Sequence, residues 1–157
     1  MAQSLQNQLK KKHPFDVPQE EVSLNIMRTH SVLIGPVHKL LKGHQLSSPL
    51  YNILRILRGV GTDGLPCSKI GERMVSREPD VTRLVDRLEK HGWVKRERST
   101  TDRRVVTVKV TTAGKKLVAK LDEPMKNLHR STLGHLTKKE MADLNRLLVK
   151  ARMAAEQ

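Results

Sequence analysis

Residues 77–114 decide the fold, and they read REPDVTRLVDRLEKHGWVKRERSTTDRRVVTVKVTTAG. Aliphatic residues recur in the first part at the spacing of one helical face: Val81, Leu84, Val85 and Leu88. This spacing predicts an amphipathic helix. Two short strands are predicted next, at residues 93–98 and 105–111, and a polar loop joins them. In the second strand, Val106, Val108 and Val110 alternate with other side chains, which is typical of a half-buried strand. A helix followed by such a hairpin indicates a winged helix-turn-helix.

The face of this helix opposite the aliphatic residues is polar and basic. It carries Pro79, Thr82, Arg83, Asp86, Arg87 and Lys90. Such a face suits the major groove of double-stranded DNA, where a guanidinium group can pair with a guanine edge. Because N-terminal residues of a recognition helix reach base edges, we expect Arg83 to read bases, Thr82 to contact a base or a phosphate, and Arg77 to contact DNA beside them.

Arg87 lies one turn beyond Arg83 and is also expected to contact DNA. The alternative is an ion pair with a nearby carboxylate, that of Asp86, Glu89 or Glu97.

The preceding helix of the motif is predicted from Lys69 to about Val75, with Ile70, Met74 and Val75 pointing inward. Ser68 and Lys69 stand at its start, where a helix N-terminus favours anions, and we expect both to contact DNA phosphates. Pro79 is predicted in the first turn of the recognition helix.

Helices are predicted on both sides of this module. The first begins near Pro18 and extends to about residue 42, with a kink or a break into two helices at Pro36. After Thr111 or Thr112 another helix begins, with an interruption at Pro124, and a capping box at residues 137–140 opens the last one. Their apolar faces exceed what the module can cover, which favours a homodimer.

The organisation predicted is a single domain. Residues 1–45 form an N-terminal arm and dimerisation helix, residues 46–111 the winged helix-turn-helix, and residues 112–157 the C-terminal dimerisation helices. The fold class is mostly α with a small antiparallel β-wing of two or three strands. The arm, residues 1–15, is expected to be poorly ordered; the alternative is that its lysine run contacts the DNA backbone.

The composition agrees with a nucleic-acid partner. The 157 residues carry a formal net charge of +14, with a pI of about 10.3, so a polyanion is the expected partner. No apolar run approaches the roughly 20 residues that span a bilayer, and the N-terminus lacks the apolar segment of a secretory signal. We therefore expect no membrane partner and a cytoplasmic location, which the single Cys67 also fits; a redox-sensing role for Cys67 is the less favoured alternative.

The chemistry of an enzyme is not indicated. The sequence shows no glycine-rich phosphate loop, carboxylate dyad or nucleophile with an adjacent base. The seven histidines are not paired at helical spacing, so no metal site and no cofactor are expected. With one Trp, one Tyr and one Phe, the chain also lacks the aromatic platforms on which RNA bases stack. Trp93 is expected to pack beneath the hairpin.

The loop between the strands carries Asp102, Arg103 and Arg104. An arginine at the tip of a wing can enter the narrow minor groove of A·T-rich DNA, and the residues themselves do not separate Arg103 from Arg104. Asp102 is expected to brace an arginine or the loop backbone rather than to touch DNA.

Residues 46–114 resemble the MarR family of bacterial transcriptional regulators. The matching segments are LSSPLYNILRIL, LPCSKIGERM, VTRLVDRLEKHGWVKR, the wing TDRR and the motif TTAG. Val110 stands where the family usually has Leu, which changes one aliphatic residue for another. The most specific part is the triplet at residues 102–104, followed by a strand and then by Thr-x-x-Gly.

The resemblance implies a homodimer held by the first and last helices and bound to a pseudo-palindromic operator. It also implies a repressor, with Arg103 as the minor-groove residue, and release by a small-molecule effector, whose contacts the sequence does not identify. A non-specific architectural DNA-binding protein is the alternative that the charge alone leaves open.

Overall fold

The structure is a computed structural model that describes residues 4–98 and 105–153. Its elements in chain order are α1 (Leu5–Gln8), α2 (Pro18–Lys42), α3 (Ser48–Val60), α4 (Cys67–Gly71), α5 (Val81–Lys90), β1 (Val94–Arg98), β2 (Val106–Val110), α6 (Thr112–Leu133) and α7 (Lys138–Met153). The mostly helical fold with one antiparallel hairpin confirms the predicted class. The chain up to Ser48 and the chain from Pro49 onward form two compact units.

The first unit contains α1 and α2. The expectation of a poorly ordered arm is wrong for α1, because Leu5 is buried and the Ser4 hydroxyl caps the helix by accepting from the Asn7 N–H at 3.3 Å. Helix α2 begins at Pro18, as predicted, and continues through Pro36. A break into two helices at that proline was therefore wrong.

The second unit has an aliphatic core formed by α3, α4, α5, α6 and the hairpin. Its most buried side chains are each at most 2% exposed: Leu50, Ile53, Leu54, Leu57, Ile70, Val85, Leu88, Val94, Val108, Val118 and Leu121. Burying one such side chain contributes about 1.5–3 kcal/mol. This core fixes the side of α5 that carries Val85 and Leu88, so the opposite side of α5 must face outward.

Helix α4 is shorter than predicted, and one of its inward residues was misplaced. It ends at Gly71, and turns follow, with Met74 N–H donating to the Gly71 carbonyl at 3.2 Å. Val75 is 93% exposed, so its predicted burial is wrong. The physical reason is that Asn52 on α3 accepts the Val75 N–H at 2.8 Å and holds the backbone there in a non-helical turn.

The recognition helix α5 begins one residue after Asp80, whose carboxylate accepts the Arg83 N–H at 2.9 Å. Pro79 therefore lies outside the helix and not in its first turn as predicted, because Asp is a strong N-cap residue. At the other end, Gly92 has φ +70, and the N–H groups of Gly92 and Trp93 donate to the carbonyls of Glu89 and Leu88. These contacts form a Schellman ending.

The hairpin pairs β1 with β2 in antiparallel register, with Val94 opposite Val110 and Arg98 opposite Val106. Val110 is buried, as predicted. Val106 is 46% exposed, although the alternation predicts that it is buried. It lies at the loop end of the hairpin, where its partner Arg98 is also exposed.

A third short segment joins the sheet at Leu65, in the connector between α3 and α4. Leu65 N–H donates to the Val108 carbonyl at 3.0 Å, and Val108 N–H donates back at 2.8 Å. Gly64 makes this approach possible, because a Cβ there would lie 2.6 Å from the Val108 carbonyl oxygen. The connector that leads into the helix-turn-helix is thus hydrogen-bonded to β2, the second strand of the wing.

Helix α6 is capped by Thr111, whose hydroxyl accepts the Gly114 N–H at 3.1 Å. It is continuous through Pro124, so the predicted interruption is wrong. Leu121 and Met125 on either side of the proline are buried, and this packing offsets the hydrogen bond that proline removes. Helix α7 opens with the predicted capping box, in which Thr137 N–H donates to Glu140 at 2.8 Å and Glu140 N–H donates to the Thr137 hydroxyl at 3.2 Å.

Candidate nucleic-acid interface

The outward side of α5 presents free cations. Arg83 and Arg87 are exposed, and neither guanidinium has a hydrogen bond or ion pair with any residue that the structure describes. Thr82 is exposed beside them. Two guanidinium groups one turn apart on a helix fixed at both ends can pair with base edges or phosphates without first breaking an internal contact.

The predicted alternative for Arg87 does not occur within residues 4–98 and 105–153, because other cations occupy the three carboxylates. Asp86 and Glu89 pair with Arg96. Glu97 pairs with Lys95 and, at 3.0 Å, with Lys109. Hydrogen bonds from these two lysines hold the pKa of Glu97 below its usual value.

Arg96, on strand β1, makes several polar contacts with α5. Its Nη2 lies 2.6 Å from Asp86 Oδ1, and its Nη1 lies 2.5 Å from Glu89 Oε2. Its backbone N–H donates to Glu89 Oε1 at 3.1 Å. Partial burial lowers the pKa of Arg96, but the hydrogen bonds with the two carboxylates outweigh this effect and raise that pKa above its usual value. These contacts attach strand β1 to the last two turns of α5.

Sequence reasoning missed Arg96, although a signal was present. Arg96 is two residues after Val94 in a strand, so its side chain is on the same face as that buried valine. On α5, Asp86 and Glu89 are three residues apart and lie on one side of the helix. An inward-facing arginine beside two acids at that spacing was the available indication.

The residues predicted for phosphate contact at the start of α4 have different surroundings. Ser68 is exposed, but it is the second residue of α4, whose N-cap position is Pro66. Lys69 Nζ lies 2.9 Å from Glu72 Oε1; this exposed pair is weak and leaves the ammonium able to exchange partners. Arg77 is exposed in the loop before α5 and has no ion pair within the described part of the chain.

The wing tip lies outside the described residues, so the predicted roles of Asp102, Arg103 and Arg104 stay predictions. Trp93, expected beneath the hairpin, is half-buried at the end of α5, where its ring stacks on His91 with centroids 4.3 Å apart and planes 9° from parallel. The left-handed Gly92 between them reverses the chain and brings the two rings together.

Neither a metal cluster nor a membrane span is found in the part of the chain that the structure describes. Its His, Cys, Asp and Glu side chains nowhere gather in groups of three that could hold a metal ion. Its helices are also too short or too polar to cross a bilayer.

An ion pair between α3 and α6 supports the second unit behind this surface. Arg58 donates to both carboxylate oxygens of Asp122, at 2.7 and 2.9 Å. The hydrogen bond from Arg58 holds the pKa of Asp122 below its usual value, and the same contact raises the pKa of Arg58. About a third of each side chain is exposed, so solvent weakens the pair.

A helix-turn-helix, an attached hairpin and an outward basic helix define a transcription regulator of the winged helix-turn-helix class. Residues 46–106 match the MarR family. A solved MarR transcription factor from Planctomyces limnophilus is 38% identical, with 86% of this chain and 98% of that chain covered and a TM-score of 0.66. This chain belongs to the MarR family, whose members are transcription regulators and not enzymes.

Two further relatives give the range of similarity. Transcriptional repressor MprA from Escherichia coli (strain K12) is 28% identical over 139 residues, covering 85% of this chain and 79% of that protein. A mutant MarR from E. coli, crystallised in complex with operator DNA, is 23% identical with a TM-score of 0.73 and covers 95% of this chain and 99% of its own. The second likeness concerns the fold alone.

Proposed function

We propose that this protein is a sequence-specific DNA-binding repressor that binds a pseudo-palindromic operator as a homodimer. The observation that carries the proposal is the outward side of α5, where Arg83 and Arg87 are exposed and have no partner among the described residues. Their side chains are ready to pair with guanine edges in the major groove. The net charge of +14 adds the sequence-independent attraction to DNA.

Within this proposal the residues divide by what they contact. Arg83 reads bases, and Thr82 contacts a base or a phosphate beside it. Arg87 and Arg77 extend the contacts to either side along the DNA. The remaining DNA contacts are those predicted from the sequence: Ser68 and Lys69 on phosphates, Arg103 in the minor groove, Arg104 nearby, and Asp102 as a brace.

The homodimer is supported by apolar side chains that each unit leaves exposed. In α2 these include Val22 and Ile26, at 55% and 42%, and in α7 Leu144 and Leu147, at 42% and 52%. A second copy that covers them would remove this apolar surface from water. The division into an arm and dimerisation helix at 1–45, a winged module at 46–111 and C-terminal dimerisation helices at 112–157 is part of the same proposal. Two recognition helices would then be spaced by one DNA turn, roughly 34–36 Å.

Repression is proposed because the relative MprA is named a repressor, and operator binding because the E. coli MarR mutant was crystallised on operator DNA. Release by a small-molecule effector and a cytoplasmic location stay predictions from the sequence.

The deciding experiment selects bound sequences from random double-stranded DNA and then footprints the best one. The selected DNA is expected to contain two half-sites related by two-fold symmetry, and the footprint is expected to protect both as one block. Sedimentation is expected to show that the bound protein is a dimer. Arg83→Ala should weaken binding to that site by about 1–3 kcal/mol and relax the preference at one base pair in each half. Binding with a steep salt dependence and no selected sequence would instead support a non-specific architectural protein and contradict the proposal.

A further inference from the structure

The recognition helix α5 carries acidic as well as basic side chains. Asp86 and Glu89 lie in its last two turns, with side chains 49% and 40% exposed. Asp86 is three residues from Arg83 and adjacent to Arg87, so its Cβ lies about 5–6 Å from that of Arg83. If α5 enters DNA as proposed above, these carboxylates must approach the phosphates that flank the groove.

Such an approach is unfavourable unless the carboxylates are neutralised. Like charges brought together at an interface cost several kcal/mol. Within residues 4–98 and 105–153, Arg96 is the one cation in an ion pair with either acid, and it pairs with both. The Arg96 side chain is only 25% exposed, so the pairs are better shielded from salt than fully exposed ones.

We propose that Arg96 is a positioning residue for DNA binding: it neutralises Asp86 and Glu89 and fixes α5 to strand β1, so that the helix meets DNA as a cationic surface. The inference rests on the proposed function of α5. Arg96 itself need not touch DNA. Arg96 affects DNA binding by neutralising two carboxylates that would otherwise repel the phosphates. It also keeps α5 in a fixed position against β1.

The test compares four variants of the full chain on the selected half-site pair, at about 0.1 M salt. Arg96→Met keeps the length of the half-buried stem and removes the charge. Arg96→Lys keeps the charge but can engage one carboxylate at a time. The third variant combines Arg96→Met with Asp86→Asn and Glu89→Gln, in which Gln can still accept the backbone N–H of residue 96.

The matched control is Lys95→Met. It deletes the same charge one residue away, on the opposite face of the same strand, where Glu97 keeps Lys109 as a partner. Thermal melting of every variant identifies any loss of binding that is due to unfolding alone.

Arg96→Met is expected to bind about tenfold more weakly or worse, and Lys95→Met about threefold more weakly at most. Arg96→Lys should stay within about threefold of the unaltered protein. The triple variant should recover most of the affinity lost by Arg96→Met, and 0.5 M salt should shrink the differences. A role that is only structural, or a direct phosphate contact by Arg96, predicts no recovery in the triple variant.

No recovery, or equal losses in Arg96→Met and Lys95→Met, would overturn the inference while leaving the proposed function intact. Failure of the unaltered protein to select any half-site would overturn the proposed function itself. The variants therefore test the inference, and the unaltered protein tests the proposed function.

Discussion

Replacing Asp80 with Ala should destabilise the protein through the first turn of the recognition helix. The Asp80 carboxylate accepts the Arg83 N–H at 2.9 Å. Losing an N-cap acceptor costs about 0.5–2 kcal/mol, and losing an anion at the positive end of the helix dipole costs a further 0.3–1 kcal/mol, roughly. Asp80 is exposed, so water can reach the freed N–H, and the cost is expected at the lower end of the sum, about 1–1.5 kcal/mol.

The assay is urea denaturation followed by circular dichroism, with Asp80→Asn and Asp80→Ser as matched variants. Both keep a capping oxygen, so each should lose less than about 0.5 kcal/mol, which is the part that comes from the charge. Thermal melting should follow the same order, with a shift of about 2–4 °C per kcal/mol for a chain of this length. Equal losses in the Ala and Ser variants, or no loss in either, would refute the assignment of Asp80 as the cap of α5.

Three further outcomes are expected from the fold. Leu57→Ala empties a fully buried site and should lower the free energy of unfolding by about 2–5 kcal/mol in urea; a loss below 1 kcal/mol would contradict its place in the core. Gly114→Ala would drive a Cβ into the Trp93 carbonyl and should destabilise the folded protein by about 1–3 kcal/mol. Gly35 has open space around it, so Gly35→Ala should instead stabilise the folded protein by about 0.5–1 kcal/mol. Because Arg58 lowers the pKa of Asp122, their pair contributes fully above the unfolded pKa of about 3.9 and is lost as pH falls through the lower folded value. Asp122→Asn should therefore cost at most about 1 kcal/mol at pH 7 and nothing near pH 2, and a cost that grows on acidification would contradict this.

Local sequence signals predicted those parts of the fold that local physics decides. The capping box at residues 137–140 was predicted correctly because it depends on a few neighbouring residues. The aliphatic spacing of α5 gave the correct outward side, and therefore the exposure of Arg83.

The errors arose where distant contacts outweigh local preference. Pro124 would end an isolated helix, but its buried neighbours keep α6 continuous. Val75 looked like a core residue until Asn52, 23 residues earlier, fixed its backbone in a turn. Arg96 lies seven residues from Glu89 and ten from Asp86, and the pairing depends on how a strand folds back against a helix.

The turn at Gly92 has a mechanical consequence. Thr111 donates its hydroxyl to the Gly92 carbonyl at 2.8 Å and its N–H to the Trp93 carbonyl at 3.0 Å. The same hydroxyl caps α6 through Gly114. These hydrogen bonds connect the turn at the C-terminus of α5 directly to the N-terminus of α6, although the strands β1 and β2 lie between the two helices in the chain. Because Thr111 contacts both helix ends, we expect a change in the orientation of the 22-residue helix α6 to be transmitted to α5.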